Sequence, residues 1–448
     1  MSIERRMDPT KFRWGVLIAC AAAMLAVANV QYAWTLFTPS LTREFTTSLT
    51  KVQWAFTFFV ITQSWLMPVN THLVDRFGAR AVISVAALLV GAGWIGAGYA
   101  HSLTELYVVY AIGGIGVGAV YGASVGLAMK WFYNRRGLCV GLVAGSYGFG
   151  TALTAIPISK MITAQGYRTA FITWGIIQGV VVLIASQFMI KPPAGWQPPS
   201  RVTPEVKKPT KVKRSIVDYT PRQMLKSGAF YLIYLMMVMV AFGGLMATAQ
   251  LAPIGTKYGY DKRIFVLGFT VLNLAVPLNQ VLNGVARPFF GTVADRLGRY
   301  DTMALVFGLE ALAIATFTTV ISYPIGFVAL SALIFFAFGD IYSSFPSAIA
   351  DIFGAKHSTT NYGIQYTAKG FGAVLGGPFA AWITQKAGGS WLPIFWLAFS
   401  FNVIAALLAV LWLKPMVARR MKREQEISVT QNASSPVAAE VTQTAAAK

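Results

Sequence analysis

Apolar residues run along this chain in twelve stretches of 18 to 27 positions, divided by short polar segments. The first six cover Trp14–Phe37, Val52–Val69, Arg80–Ala100, Leu106–Met129, Leu138–Ile162 and Thr169–Ile190. The second six cover Ala229–Gln250, Ile264–Phe290, Thr302–Ser322, Ile325–Ile349, Tyr362–Gln385 and Trp391–Leu413. About 20 mostly apolar residues suffice for a helix to cross the hydrocarbon of a bilayer, and each stretch meets that length. The pattern predicts an all-α membrane protein with twelve transmembrane helices in two six-helix bundles, residues 1–190 and 229–414. Between them, residues 191–228 are proline-rich, polar and basic without helical periodicity, which reads as a linker held at an anionic membrane surface. Residues 415–448 begin basic and become rich in Ser, Thr and Ala, so the tail is expected to be disordered.

Composition agrees with the membrane class: 56% of the 448 residues are hydrophobic and 12% are charged. A net charge of +21 invites a nucleic-acid reading, but the distribution of charge removes it. With both termini cytoplasmic, 27 of the 37 Lys and Arg residues fall on the cytoplasmic side, eight fall outside, and two lie within spans. That asymmetry is what orients helical membrane proteins. The lipid bilayer is therefore the partner, with no nucleic acid, and a multi-pass monomer of the inner (cytoplasmic) membrane is expected. Cys20 and Cys139 have no metal or redox spacing. His72, His101 and His357 lie near loops without ligand spacing, so no metal and no cofactor are expected. No P-loop, G-x-S-x-G or paired catalytic acids appear, which argues against an enzyme.

The two halves echo each other. VDRFGAR at 74–80 recurs as ADRLGRY at 294–300, Tyr121 corresponds to Tyr342, and GFG at 148–150 recurs at 370–372. The offsets are 220, 221 and 222, and each pair occupies the same place in its half. A duplicated bundle would show this. The repeated D-R-x-G block resembles the signature loop of the major facilitator superfamily. The fold implied is two pseudo-symmetric bundles, with Asp75, Arg76, Asp295 and Arg296 as gating latches near helix ends. The family's opening glycine is kept as Gly291 in the second copy but is Thr71 in the first. Gly114, Gly118, Gly122 and Gly126 recur at four-residue spacing, a stripe suited to close helix packing in lipid.

Charge inside a span is expensive and marks function by default. Arg287 lies eight residues from Asp295, and Lys369 eight from Asn361, so each sits ~12 Å from its polar boundary at ~1.5 Å per residue. Two cations at one depth suggest an anion site. Tyr121, Tyr147 and Tyr342 lie ~13–17 Å deep by the same measure. An interfacial belt would sit nearer the rims; at mid-depth, phenols can donate to a carboxylate. Two acids complicate the count. Asp340 is eleven residues before Asp351, and Glu310 is nine residues into its span. If Asp340 pairs with Arg287 or Lys369, one net positive charge remains and a monocarboxylate is suited. If it is protonated or turned away, a dianion can be neutralised. A structural ion pair is the bland alternative, and proton coupling is another.

Longer stretches narrow the resemblance. VQYAWTLF at 30–37, GAVYG at 118–122, AGSYGFG at 144–150, NGVARPFFGTVADRLGRYDTMALVFG at 283–308, FPSAIADIFG at 345–354 and NYGIQYTAKG at 361–370 look like the oxalate:formate antiporter family. That resemblance implies that Arg287 and Lys369 hold a dicarboxylate between the halves. It also implies that Gln31, Tyr32, Tyr121, Tyr147 and Tyr342 line the cavity. Phe338 and Tyr366 stand where the family has Trp, and Asp340 and Glu310 stand where it is uncharged. The function expected is a secondary transporter of small carboxylate anions, of oxalate:formate exchange type. Proton-coupled monocarboxylate symport is the alternative, and a transporter-like membrane sensor is a third, lesser reading.

Overall fold

The computed structural model describes residues 8–132, 136–193, 215–266, 268–354 and 357–433. The N-terminal half comprises α1 (Pro9–Tyr32), α2 (Trp34–Glu44), α3 (Leu49–Trp65), α4 (Met67–Phe77), α5 (Ala79–Tyr99), α6 (Leu103–Trp131), α7 (Arg136–Gln165) and α8 (Tyr167–Ser186). After the short α9 (Pro221–Leu225), the C-terminal half comprises α10 (Gly228–Lys257), α11 (Val271–Leu297), α12 (Arg299–Val320), α13 (Pro324–Gly339) and α14 (Ile341–Phe353). It continues with α15 (Ser358–Tyr366), α16 (Ala368–Val374), α17 (Ala380–Lys386), α18 (Leu392–Leu408) and α19 (Lys414–Ala433). Several rods are built from two or more of these helices. α1 and α2 break at Ala33, α3 and α4 at Leu66 just before Pro68, and α13 and α14 at Asp340. The α15–α17 rod breaks at Thr367 and carries a π-helical turn at Leu375–Phe379, where Gly376, Gly377 and Pro378 fall together.

Nine helical segments among the described residues are long and apolar enough to cross a membrane on those grounds alone. The α3–α4, α11 and α15–α17 rods are not among them. Their interiors hold buried polar residues instead: Gln53 and Gln63, Asn283 and Arg287, Gln365 and Lys369. The halves meet mainly where α7 packs on α11 and α3 packs on α16, so all three of these polar rods lie at the joint. At that joint, Gly145 and Gly284 face each other so closely that a Cβ on Gly284 would lie 2.9 Å from the Gly145 carbonyl oxygen.

The duplicated D-R-x-G turn is visible in the backbone. Gly78 and Gly298 take φ of 88° and 104°, a region that side-chain-bearing residues avoid, and each starts the next helix at once. The small-residue stripe of α6 packs as expected over part of its length. A Cβ at Gly118 would stand 2.5 Å from the Gln63 carbonyl oxygen, whereas Gly126 has open space around it.

Three expectations are corrected. The eighth stretch begins its helix at Val271 rather than Ile264. Residues before it form a small antiparallel hairpin, β1 (Ile264–Val266) with β2 (Phe269–Thr270), turned at Gly268 with φ of 77°. The tail is helical as far as Ala433, because Arg420 pairs with Glu424 at 3.1 Å and stacks over Tyr219 at 3.8 Å. Residues 434–448 lie outside the described residues. The end of the linker is ordered too: Ser215 and Tyr219 donate backbone hydrogen bonds of 2.9 and 2.8 Å to the Asp351 and Phe353 carbonyls.

Gly118→Val would force α6 away from α3 and α4, an overpacking worth roughly 1–3 kcal/mol. A lowered melting temperature of the purified protein in detergent is expected; an unchanged one would show that the helices separate freely at this point.

Candidate anion site between the halves

Lys369 projects from α16 across the joint and finds only neutral oxygens. Its ammonium donates to Gln31 Oε1 and Gln63 Oε1, each at 2.8 Å, and to the Tyr366 hydroxyl at 3.3 Å. The Tyr147 hydroxyl donates to Gln31 Oε1 at 2.9 Å and accepts from Gln63 Nε2 at 2.8 Å. Lysine, two glutamines and a tyrosine thus close a ring, with the cation from one half and the amides and phenol from the other. Gln63 owes its place to the α3–α6 contact over Gly118.

Arg287, on α11, also reaches across. Its guanidinium donates to the Ala144 carbonyl of α7, to the Tyr32 hydroxyl at 3.3 Å, and to Asn283 Oδ1 at 2.9 Å on its own helix. The ring of Tyr342 lies under it at 4.1 Å, and the same ring is 5.6 Å from the Lys369 ammonium. One phenol therefore lies within reach of both cations, where the low dielectric magnifies their mutual repulsion. No described carboxylate forms an ion pair with either. Both residues are essentially without exposure, at 1% for Arg287 and 0% for Lys369. Three buried groups of this region that can donate have nothing to bond: Arg287 Nε, Gln31 Nε2 and the Tyr342 hydroxyl.

Aromatic rings complete the wall. Tyr32 and Tyr121 pack against Tyr147 at 5.5 and 5.4 Å, and Tyr366 stacks on Tyr121 at 5.7 Å. Seven of the expected lining residues are thus brought together around the cations: Gln31, Tyr32, Tyr121, Tyr147, Tyr342, Tyr366 and, one layer back, Phe338. Phe338 meets Tyr342 edge-on at 5.7 Å and packs over Gly244 of α10.

The acids are placed elsewhere. Asp340 occupies the break between α13 and α14, where Oδ1 accepts from the Ser344 hydroxyl at 2.6 Å and from Ser343 at 3.1 Å. The possibility of its pairing with Arg287 or Lys369 is not realised, because those hydroxyls hold its carboxylate within its own helix. Glu310 faces the interior of the C-terminal half, beside Asn402 and Gly243. Of the latch residues, Asp295 pairs with Arg299 at 2.9 Å, and Arg299 pairs again with Asp351 at 3.0 Å. This latch lies within one half. Arg296 is exposed, Arg76 lies over Phe77, and the Asp75 side chain falls outside the described residues.

The sequence profile of the Major Facilitator Superfamily matches residues 19–282 and 262–443. An oxalate:formate antiporter of Oxalobacter formigenes is 32% identical over 94% of this chain and 96% of its own length. The chain belongs to the oxalate:formate antiporter family of the major facilitator superfamily. It is similar also to monocarboxylate transporter 1 of Homo sapiens, 25% identical over 84% of this chain and 80% of that protein. Monocarboxylate transporter 2 of Mesocricetus auratus is 25% identical over 83% and 78%. This is a multi-pass membrane transporter and not an enzyme.

Sequence reasoning missed Gln63, Asn283 and the Ala144 carbonyl as partners of the transporter's two cations. Gln63 carried a signal: it is a polar residue inside an apolar stretch. Ala144 carried none, since a backbone carbonyl is present at every position and only packing selects one. Arg299, the cation that pairs with Asp295, was passed over for its neighbour Arg296.

Gln63→Glu would set a carboxylate against Lys369 in place of a neutral amide. The anion-free variant is expected to melt at a higher temperature than the parent, and an added small dicarboxylate should no longer raise it further. Ligand protection equal to the parent's would mean that Lys369 does not face the bound anion.

Proposed function

We propose that this transporter moves small carboxylates by alternating access, exchanging a dicarboxylate of oxalate type for a monocarboxylate of formate type. One observation carries the reading: two buried cations reach from one half to the other, and their partners are neutral oxygens. A carboxylate offers Arg287 and Lys369 hydrogen bonds in which both partners are charged, and it can pair with the guanidinium bidentately. It would also receive bonds from two of the unpartnered donors, Arg287 Nε and Gln31 Nε2. Asp340 is turned to its own serines, so both positive charges remain to be balanced, and a dianion balances them.

Closure on both sides of the site supports an alternating cycle. Toward the face that carries the termini, Trp65 Nε1 donates to the Thr367 carbonyl at 3.0 Å. Toward the opposite face, Gln53 Nε2 donates to the Ala249 carbonyl at 2.8 Å, and the Ala252 amide donates to Thr35 Oγ1 at 2.8 Å. These are few and polar, as contacts that must break in turn should be. In this reading residues 1–190 and 229–414 rock about the site as a monomer. The linker at 191–228 and the tail at 415–448 lie on the cytoplasmic side of the inner membrane, following the Lys and Arg asymmetry.

Proton-coupled monocarboxylate symport is the second reading, favoured by the likeness to monocarboxylate transporters and by the two extra acids. Counterflow in proteoliposomes separates them: exchange requires substrate on the far side, whereas symport responds to an imposed pH gradient without it.

Arg287→Gln removes the bidentate partner. Oxalate counterflow should fall about 100-fold, ~2.8 kcal/mol at tenfold per 1.4 kcal/mol, with the helical signal and melting temperature retained. Normal counterflow by this variant would sink the site assignment.

A further inference from the structure

Behind the anion site, the interior of the C-terminal half contains a second polar pocket of opposite character. Arg299 of α12 touches Asp351 of α14, and Phe307 of α12 stacks on Phe345 of α14 at 6.1 Å. α12 and α14 run antiparallel, so these two contacts set a register. Three residues beyond Phe307 on α12 comes Glu310, and three to five residues before Phe345 come Tyr342, Ile341 and Asp340. The register therefore puts Glu310 level with Asp340. Both acids are fully buried, at 0% exposure, and Glu310 lies in the field of Asp340.

The side chains around them are short of donors. Asp340 Oδ2 and Asn402 Oδ1 are buried acceptors with no hydrogen-bond partner, and the Glu310 carboxyl has only the Asn402 amide as a neighbouring donor. Asn402 comes from α18, and its amide nitrogen donates to the Ala398 carbonyl at 3.1 Å. Glu310 Oε1 and Asn402 Nδ2 share a niche over Gly243 of α10, where a Cβ would lie 2.8 Å from the first and 3.0 Å from the second. Glycine is what leaves room for the carboxyl. Buried acceptors outnumber donors around these two carboxyl groups, and hydrogens on the carboxyls would make up the difference.

We propose that Glu310 and Asp340 form a proton-binding site in the C-terminal half, and that a proton bound there accompanies the anion through the transport cycle. The proton adds to a carboxylate oxygen as an O–H and is drawn from the aqueous phase; nothing else is consumed. The surrounding groups leave this role to the two acids. α13 and α18 carry no titratable residue, and α10 carries Tyr231, Tyr234 and Lys257, all at least nine residues from Gly243. On α11, Arg287 is turned to Ala144, Tyr32 and Asn283, while Asp295 and Arg296 lie at the helix end. On α12 and α14, Arg299 is paired with Asp295 and Asp351, and Tyr300, Asp301 and Tyr342 complete the ionisable groups. Arg299 is the cation whose field reaches Asp340.

The link to the anion runs through the helix break. Asp340 is flanked by Phe338 and Tyr342, and the Tyr342 ring lies under the Arg287 guanidinium. Negative charge on Asp340 or Glu310 opposes an anion at Arg287, and a proton removes that opposition. By linkage, the anion must then favour proton binding by the same factor.

The proposal rests on the reading of the chain as a carboxylate transporter, and the experiment separates the two. Proteoliposomes holding the wild type, Glu310→Gln and Asp340→Asn are assayed for oxalate counterflow at equal pH on both sides. They are then assayed for oxalate uptake into formate-loaded proteoliposomes under an imposed pH gradient, with choline or sodium as the cation. The expected result is gradient-driven accumulation by the wild type, reduced tenfold or more in Glu310→Gln while its counterflow stays within twofold. Accumulation by Glu310→Gln equal to the wild type overturns the proposal. So does uptake that follows sodium and ignores pH, which would make the pocket a sodium site. A wild type without counterflow would sink the carboxylate reading instead. The proton site is still judged in that case by the infrared C=O band of a protonated carboxyl in the purified protein at neutral pH. The band should weaken in Glu310→Gln and in Asp340→Asn; its absence from the wild type overturns the site.

Discussion

Two positive charges held within reach of one tyrosine ring, in a membrane interior, with no acid beside them: everything else in this molecule is arranged around that problem. Arg287 and Lys369 repel each other, and water is excluded from both. The N-terminal half answers with carbonyl and hydroxyl oxygens from Gln31, Gln63, Tyr32 and Ala144. Such partners solvate a cation but do not neutralise it. The joint between the halves is therefore held by bonds that a carboxylate can improve on, and the site is closed without being satisfied.

Donors and acceptors tell the same story on the two sides of Tyr342. Toward the joint, donors are in surplus: Arg287 Nε and Gln31 Nε2 have no acceptor. Toward the interior of the C-terminal half, acceptors are in surplus around Glu310, Asp340 and Asn402. Buried polar groups are matched in nearly all proteins, so an imbalance of a fixed sign points to a ligand of the complementary sign. On the reading proposed above, an anion completes one pocket and a proton completes the other. Asp340 leaves the cations unpaired because Ser343 and Ser344 hold its carboxylate inside its own helix.

Much of this was legible in the residue pattern. Apolar run lengths located the twelve rods, and the offsets of 220 to 222 located the duplication. The depth of Arg287 and Lys369 followed from rise per residue alone, and the structure brings both to one ring. What stayed hidden depended on contacts between distant segments. The Ala144 carbonyl has no sequence signature, and Arg299 and Arg296 differ only in which side of the turn faces Asp351. The hairpin at 264–270 was read as helix because its residues are as apolar as a span, and only the turn at Gly268 distinguishes them. The ordered tail was read as disordered because its basic composition hides the contacts that Tyr219 offers to Arg420 and Glu424.

The two halves have diverged from a common plan in a way that the chemistry of transport demands. If each half carried one cation with its own buried acid, each would be satisfied alone, and nothing at the joint would reward binding. Here both cations belong to the C-terminal half and their closest cross-joint oxygens to the N-terminal half, while Gly145 and Gly284 let the backbones meet. The halves are thus complementary although their folds are alike. The three rods with too many polar residues to pass as simple spans, α3–α4, α11 and α15–α17, supply Gln63, Arg287 and Lys369. What weakens these segments as membrane helices is, on the proposed reading, what would make the joint responsive to an anion. Gln63, Arg287 and Lys369 are tolerated because each faces the opposite half rather than lipid.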